Sequence, residues 1–435
     1  MSHVPVTALR IRAWNRPVGG AVLSARPPYV VFQYDPAWLR DGPQLAPLLM
    51  PHRDGDRLHS FRQLDPTTFR GLPPLLADAL PDAFGNRLTD EYLADQGILP
   101  HELTGLDRLA YVGDRGLGAL TFEPDQGSDS ARPTSLDLAE LVAAARDVVT
   151  GDLNDTPGRR LAVRHLQGIG TSAGGAQAKA LVGWNRATGA IRAGQGGTDD
   201  FEPWLLKFDL GEAPGLPAGP TGAGRIEYAY HLMAAKAGIE LPEAHLVEES
   251  GRAHFLVRRF DRDAAGERLH QQSLGALGGL DFTLIATHSA TQLFRVADAI
   301  GLDDAARHQL LRRVAFNVLA GNRDDHPKNH AFLMDRSGRW SLAPAYDLTF
   351  AYDLSNPWLA RHHLAVEGKF DGITRRDLRT LADRCDVPDW TTALEAVQAA
   401  VADWPASAID AGVDPPTTKA IGDRLATIRR AWSAR

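Results

Sequence analysis

Nine consecutive residues, NRDDHPKNH at 322–330, hold two carboxylates, two amides, two histidines and a lysine. The apolar run LLRRVAFNVLAG leads into them, and HAFLMDRSGRWSLAPAYDL leads out. In the outgoing stretch, AFLMD and RWSLAP read as two strands joined by a turn at residues 336–338. A hairpin returns the chain to where it left, so Asp347 is expected beside Asn329. One amide and one carboxylate brought together make a hard-oxygen site suited to magnesium, with phosphates of a substrate completing the shell. Asp324, five residues before Asn329, would face that site from the same loop. Two other readings compete. His326 and His330 stand four apart, as zinc or iron ligands can, but Pro327 between them disfavours a helical pair and no HExxH occurs. The knot could also be hydrogen-bonded decoration of a helix end.

The preceding segment explains how such a loop is held. Leu310, Val314 and Val318 lie on one helical stripe, with Leu311, Ala315 and Leu319 beside it. Asp303 or Asp304 suits the N-cap and Gly321 the stop. A helix anchored in a core supports the loop leaving it rigidly, which positional chemistry requires. Protein kinases use this layout: one Asp accepts the hydroxyl proton, an Asn holds metal, and a second Asp beyond a short hairpin holds metal. The letters differ, since neither HRDLxxxN nor DFG is present.

Phosphoryl transfer needs further parts upstream. Residues 168–179, GIGTSAGGAQAK, are small enough for backbone N–H groups to cradle phosphates. They match neither Walker A nor the kinase GxGxxG. Lys207 is a lone cation in the apolar strand WLLKFD, so it points outward or meets an anion. Glu227, expected to begin the next helix, could pair with it, or serve as a first-turn acid favouring the helix dipole. A rival reading lies in GTSAG at 170–174, which satisfies the G-x-S-x-G nucleophile elbow of serine hydrolases. That elbow needs a buried strand before it and a helix after it, and a strand-like ALVGW follows instead.

Composition bounds the rest. The chain has 435 residues, 44% hydrophobic and 23% charged, enough for two or three domains of an ordinary globular protein. No run approaches the ~18 apolar residues of a membrane span, and the N-terminus lacks the layout of a secretion signal. The reading is a cytoplasmic protein with no membrane partner. Cys385 is the single cysteine, which excludes an internal disulfide and multi-Cys zinc. A net charge of -7 argues against strong non-specific nucleic-acid binding by this chain alone. Six lysines stand against 41 arginines; where Lys persists, a compact ammonium is favoured over a planar fork.

The order of elements is a β-rich half, a connecting strand and a helical half. In the first 120 residues, YVVFQYD, LAYVG and LGALTFEP read as β-like runs around a helical stretch near 75–95. EPDQGSDSARPTS (123–135) has linker composition. The expected division is 1–125 as an N-terminal α+β subdomain, 126–258 as a β-rich nucleotide-binding lobe, and 259–435 as a helical lobe with the catalytic loop. From 261 onward helical patterns dominate.

SAGGAQAKAL, LLKF, FLVRRFDR, AFNVLAGNRDDHPKNHAFL and LAPAYDL, in this order, resemble the HipA family of bacterial toxin serine/threonine kinases. The resemblance implies a bilobal α+β protein-kinase-like fold, with a small N-terminal α+β domain on a β-rich lobe and a mostly helical C-terminal lobe. It implies Asp324 as catalytic aspartate, with Asn329 and Asp347 as magnesium ligands. His326, Pro327, Lys328 and Tyr346 would line the ATP site, and Lys207 would be the ATP-binding lysine. Gly174, Gly175, Ala176, Gln177, Ala178 and Lys179 would form the phosphate loop, so Lys179, Lys207 and Lys328 would cluster near ATP. Arg258, Arg259 and Phe260 would be the interlobe hinge meeting adenine, where the family usually has Glu-Arg-Phe. Ser172 aligns with an autophosphorylated serine whose phosphate would switch the kinase off, and repulsion from ATP phosphates supports that logic.

Family members phosphorylate translation components, typically an aminoacyl-tRNA synthetase. A small helix-turn-helix antitoxin of HipB type restrains them, and DNA would be reached mainly through that partner. The leading expectation is therefore an ATP- and magnesium-dependent serine/threonine kinase of a toxin–antitoxin system. The alternatives are a kinase-fold corepressor acting with its antitoxin, and a serine hydrolase using Ser172.

Overall fold

The computed structural model describes residues 4–24, 29–94, 97–127, 138–150, 177–194, 200–211 and 222–433. Contacts group the chain into two compact units: Met1–Thr221 with Val247–Gln272 and Met334–Arg339, and Gly222–Leu246 with Ser273–Leu333 and Trp340–Arg435.

The first unit carries two sheets. Strands β1 (Ala8–Ala13), β2 (Arg16–Leu23), β3 (Val30–Tyr34) and β4 (Leu120–Glu123) lie in the order β3-β2-β1-β4. Alternation along β1 buries Leu9, Ile11 and Ala13, the period-2 pattern of a sheet with one dry face. The second sheet contains β5 (Lys179–Trp184), β6 (Ile191–Ala193), β7 (Glu202–Lys207), β8 (Ala244–Glu249) and β9 (Arg252–Arg258), ordered β6-β5-β7-β9-β8. Leu181, Trp204, Leu206 and Leu256 of this sheet share a core with Phe84, Leu88, Leu141 and Ala145. The first two of those partners belong to the helix Ala83–Ala94 and the others to the helix Leu138–Thr150. Each such large side chain contributes roughly 1.5–3 kcal/mol by leaving water.

One expected strand is a helix. LAYVG lies mainly in the helix Gly105–Val112, with Gly113 as its C-cap. The Thr104 hydroxyl accepts from Asp107 N–H at 3.2 Å, while the Asp107 carboxylate accepts from Thr104 N–H at 2.8 Å. This capping box, with Leu106, Leu109 and Ala110 all buried at helical spacing, overrides the β-like letters.

The first unit is also fastened by buried charge. Asp261 receives a two-pronged bond from the Arg259 guanidinium at 2.9 and 2.7 Å, one from Arg262 at 2.8 Å, and one from Gly118 N–H at 2.8 Å. Burial alone would raise this carboxyl, but the two guanidinia and the amide hold it well below the usual range.

The second unit is mostly helical, including Ala223–Lys236, Ala290–Ala299, Asp304–Leu319, Arg375–Arg384, Trp390–Ala402 and Pro415–Ser433. Among the described residues, no helix is long and apolar enough to cross a membrane. Asp303 caps Asp304–Leu319, accepting from Ala306 N–H at 3.0 Å. Both expected stripes are buried, as are Arg313 and Asn317, so this helix is enclosed on several faces. Gly321 turns the chain at φ 65°, a left-handed value suited to glycine. The Tyr230 hydroxyl donates to the Ala320 carbonyl at 2.6 Å, satisfying a helix-terminal oxygen. Cys385 is buried, and burial pushes its thiol up to about 11, so it is inert filler.

Candidate active site

The polar loop leaves its helix stitched down. Asn322 Nδ2 donates to Asn317 Oδ1 at 3.0 Å and lies 3.4 Å from the Asp347 carbonyl oxygen. Arg323 N–H donates to the Ala351 carbonyl at 3.0 Å, and Ala351 N–H returns to Gly321 at 3.2 Å. Residues Pro327–Asn329 then make one 3-10 turn, in which proline's fixed φ suits the first position.

The expected hairpin is present. Strands Ala331–Met334 and Trp340–Leu342 are adjacent, Gly338 takes φ 88°, and the Asp335 carboxylate caps the turn by accepting from Ser337 N–H at 2.9 Å. Ala343 N–H donates to the Ala331 carbonyl at 3.1 Å. The returning chain meets the loop: the Tyr346 hydroxyl donates to the Lys328 carbonyl, and Asp347 follows with φ 53°. A left-handed aspartate costs conformational energy, and such strain concentrates at functional sites.

Asp324 stands at the centre. Its side chain is 34% exposed, whereas its neighbours Arg323 and Asp325 have buried side chains. Trp358 Nε1–H donates to Asp324 Oδ1 at 2.7 Å, and His326 Nε2 lies 3.7 Å from the same oxygen. Desolvation by the surrounding wall, with Asp347 and Asp325 adding negative charge, pushes Asp324 up to about 6 despite the Trp358 bond. Asn329 flanks it from one side, its Nδ2 donating to the Asp324 carbonyl at 2.7 Å. Asp347 flanks it through its charge. Loop and hairpin end therefore share one electrostatic environment.

The arrangement fits a magnesium ion. Asn329 Oδ1 is buried without a hydrogen-bond partner, because the bond made by Nδ2 turns the oxygen the other way. A buried amide oxygen left unpaired is costly and is a hard ligand of the right kind, and Asp347, whose charge reaches Asp324, would bring a carboxylate. No group of three or more His, Cys, Asp or Glu able to hold a metal occurs among the described residues.

The histidines behave as buried neutral groups. Burial drives His326 down to about 3 and His330 to about 4. An unfolded chain protonates these rings near their ordinary 6.5, so unfolding takes up protons as pH drops from 6.5 toward 4. Stability should therefore fall in that window by about 1.4 kcal/mol per histidine per pH unit. Asp324 offsets part of this between about 6 and 3.8, because its folded form takes the proton first. Denaturant midpoints measured at pH 7 and pH 5 check the net loss.

The remaining expected residues sit as follows. Lys207 is buried at 5% exposure, its ammonium 5.8 Å from the Phe255 ring centroid, so it does not point outward. Strand register sets Lys179 directly across from Lys207. Lys179 is buried against the Asp82 carboxylate at 3.1 Å, which gives it an internal counter-ion in place of an open surface. Ala178 is buried, and Gln177 Nε2 donates to the Phe208 carbonyl at 3.3 Å. Ser172, Gly174, Gly175 and Ala176 lie outside the described residues. Arg258 ends β9 with its side chain exposed, and Phe260 is half-buried. Arg259 spends its N–H on the Pro203 carbonyl at 3.1 Å and its guanidinium on Asp261, so its side chain is structural. Lys328 holds its ammonium 5.0 Å from the Phe282 ring centroid. Glu227 is not the expected first-turn acid: its helix starts at Ala223, which puts it, buried, in the second turn.

Sequence reasoning missed Arg323, Asp325, Trp358, His362 and His363. The signal was present in NPWLARHH at 356–363, an aromatic and two histidines in a stretch without strand or helix periodicity.

The two-unit α+β architecture and this loop–hairpin site define a chain of protein-kinase-like fold. The model of the HipA-like C-terminal domain matches residues 171–408, and that of the HipA N-terminal domain matches residues 9–123; the chain belongs to the HipA family. Two proteins of Sinorhizobium fredii are similar along most of the chain. One, named "Putative kinase Y4mE", is 29% identical over 80% of this chain and 79% of its own. The other, named "Putative kinase Y4dM", is 23% identical over 92% of each. Among solved structures, HipA of Shewanella oneidensis MR-1, determined with HipB and operator DNA, superposes with a TM-score of 0.69 at 17% identity. That match covers 98% of this chain and 97% of the other.

Proposed function

We propose that the chain is an ATP- and magnesium-dependent serine/threonine protein kinase. The observation that carries this reading is the pairing of a partly exposed carboxyl, Asp324, with a buried, unpaired amide oxygen on Asn329 five residues away. Asp324 accepts the proton of the acceptor hydroxyl as its oxygen bonds to the γ-phosphorus and the bond to the departing ADP oxygen breaks. Asn329 Oδ1 and the Asp347 carboxylate hold magnesium, and Lys207 supplies a cation to the phosphates. Magnesium, when bound, neutralises charge on the transferred group. Lys328 and Tyr346 shape the nucleotide side of the loop, and Arg258 and Phe260 offer main-chain groups to adenine.

The wider assignments extend the same reading. The substrate class is a translation component such as an aminoacyl-tRNA synthetase. Autophosphorylation at Ser172 is the off-switch, and a HipB-type helix-turn-helix antitoxin is the partner that contacts DNA. Support for the partner comes from the Shewanella oneidensis relative, whose structure contains HipB and operator DNA. The segmentation 1–125, 126–258 and 259–435 belongs to this proposal.

Radiolabel transfer from γ-labelled ATP tests it. Asp347→Ala is expected to lose at least 100-fold in transfer and to weaken magnesium-dependent nucleotide binding. Equal labelling by the wild-type chain and Asp347→Ala would leave the kinase reading without its metal site.

A further inference from the structure

Three consecutive residues of the loop grip one returning segment at three points. Arg323 donates to the Ala360 carbonyl, and its other nitrogen pairs with Asp371 at 2.7 Å. Asp325 accepts from His363 N–H at 2.7 Å and meets His362 Nδ1 at 3.0 Å. Between them, Asp324 accepts from the Trp358 indole. The Asp325 grip is buried, the Arg323 side chain is buried but its partner Asp371 is 64% exposed, and the Asp324 carboxyl remains accessible.

The indole is itself fixed from several directions. The Trp358 backbone N–H donates to Asn356 Oδ1 at 3.0 Å, the Trp358 backbone carbonyl lies 3.0 Å from His363 Nε2, and the indole packs on His363 with ring centroids 4.3 Å apart. His326 crosses its ring edge-on at 5.8 Å. The donor aimed at Asp324 Oδ1 is therefore pre-set, while Oδ2 accepts no hydrogen bond among the described residues. A carboxylate on a short side chain can rotate about its last bond. A rigid donor on one oxygen removes that freedom and fixes where the other oxygen faces.

We propose that Trp358 is a positioning residue of the transfer reaction: its indole N–H pins Asp324 Oδ1 so that Oδ2 is presented to the acceptor hydroxyl. This rests on the reading of Asp324 as the base. Removing the donor leaves the carboxyl in place but unaligned, so turnover falls while binding of nucleotide and acceptor does not.

The test uses the full chain, γ-labelled ATP, magnesium and two acceptors, the chain itself and myelin basic protein. A fluorescent ATP analogue reports nucleotide affinity. Trp358→Phe keeps the ring and deletes the donor; it is expected to lower kcat about 10- to 100-fold, with KM for myelin basic protein and nucleotide affinity within twofold. In an Asp324→Asn background, the same change is expected to cause no further loss, because the residue it acts through is already disabled. A merely structural role would instead add its effect to that of Asp324→Asn. Should Trp358→Phe fold poorly, Trp358→His retains a ring N–H donor and is expected to keep more turnover than Trp358→Leu at matched stability. The proposal falls if Trp358→Phe turns over within twofold of wild type, if its loss is additive with Asp324→Asn, or if the His and Leu variants are equal. If wild type and Asp324→Asn label both acceptors alike, the assignment of Asp324 fails, and the role of Trp358 fails with it.

Discussion

Asp324→Asn is expected to lower phosphoryl transfer about 10²- to 10⁴-fold, the usual worth of a positioned general base. Asparagine is isosteric, so its Oδ1 can still accept from Trp358 while its amide nitrogen replaces the oxygen that takes the proton. Nucleotide affinity should change little, because the residues assigned to magnesium and phosphates are untouched. Wild-type transfer should also fall on acidification. Asp324 is pushed up to about 6 by burial and neighbouring carboxylates. Below that value the proton occupies the oxygen that must receive the hydroxyl proton, giving close to a tenfold loss per unit. Bound magnesium moves this limb to lower pH, since a nearby cation favours the charged carboxylate. Rates measured from pH 5 to 8, with binding followed in parallel, separate the base from the binding groups. Full activity of Asp324→Asn would end its assignment.

The second large effect is on stability. Asp261→Ala is expected to destabilise the first unit by about 3–5 kcal/mol, the typical cost of breaking a buried ion pair by removing one partner. The side chains of Arg259, Arg262 and Asp261 are 1%, 8% and 2% exposed, so the deletion leaves two guanidinia desolvated without their shared carboxylate. It also removes the acceptor of Gly118 N–H. Replacing Arg259, Asp261 and Arg262 together by apolar residues of similar size should cost less than Asp261→Ala alone, because no orphaned charge remains. Urea denaturation of the single and triple variants compares the two. A loss below about 1 kcal/mol for Asp261→Ala would show that water or a neighbour compensates the guanidinia.

The family and its fold were legible because local letters carry them. The 310–319 stripe reads as a helix from apolar spacing alone, and the turn at Gly338 reads as a hairpin from its residue types. That hairpin returns Asp347 to the loop for a geometric reason, not an energetic one, which made the return predictable. Local reading failed where a short polar motif outweighed propensity. In LAYVG the reciprocal bonds of Thr104 and Asp107 started a helix through residues that individually suit a strand. Nor could local reading supply the ion pair of Lys179 with Asp82, 97 positions earlier.

By itself the sequence determined which groups could do chemistry and roughly where the backbone would carry them: Asp324 and Asn329 on a loop off a buried helix, Asp347 beyond a hairpin. Backbone periodicity and turn chemistry are local properties, readable over a dozen residues. Only the tertiary structure decided which oxygen of Asp324 is held, that the Asn329 amide oxygen is left unpaired, and that Arg259 is consumed by Asp261. These depend on burial and on hydrogen bonds between residues tens of positions apart, such as Trp358 with Asp324, and no local pattern encodes them.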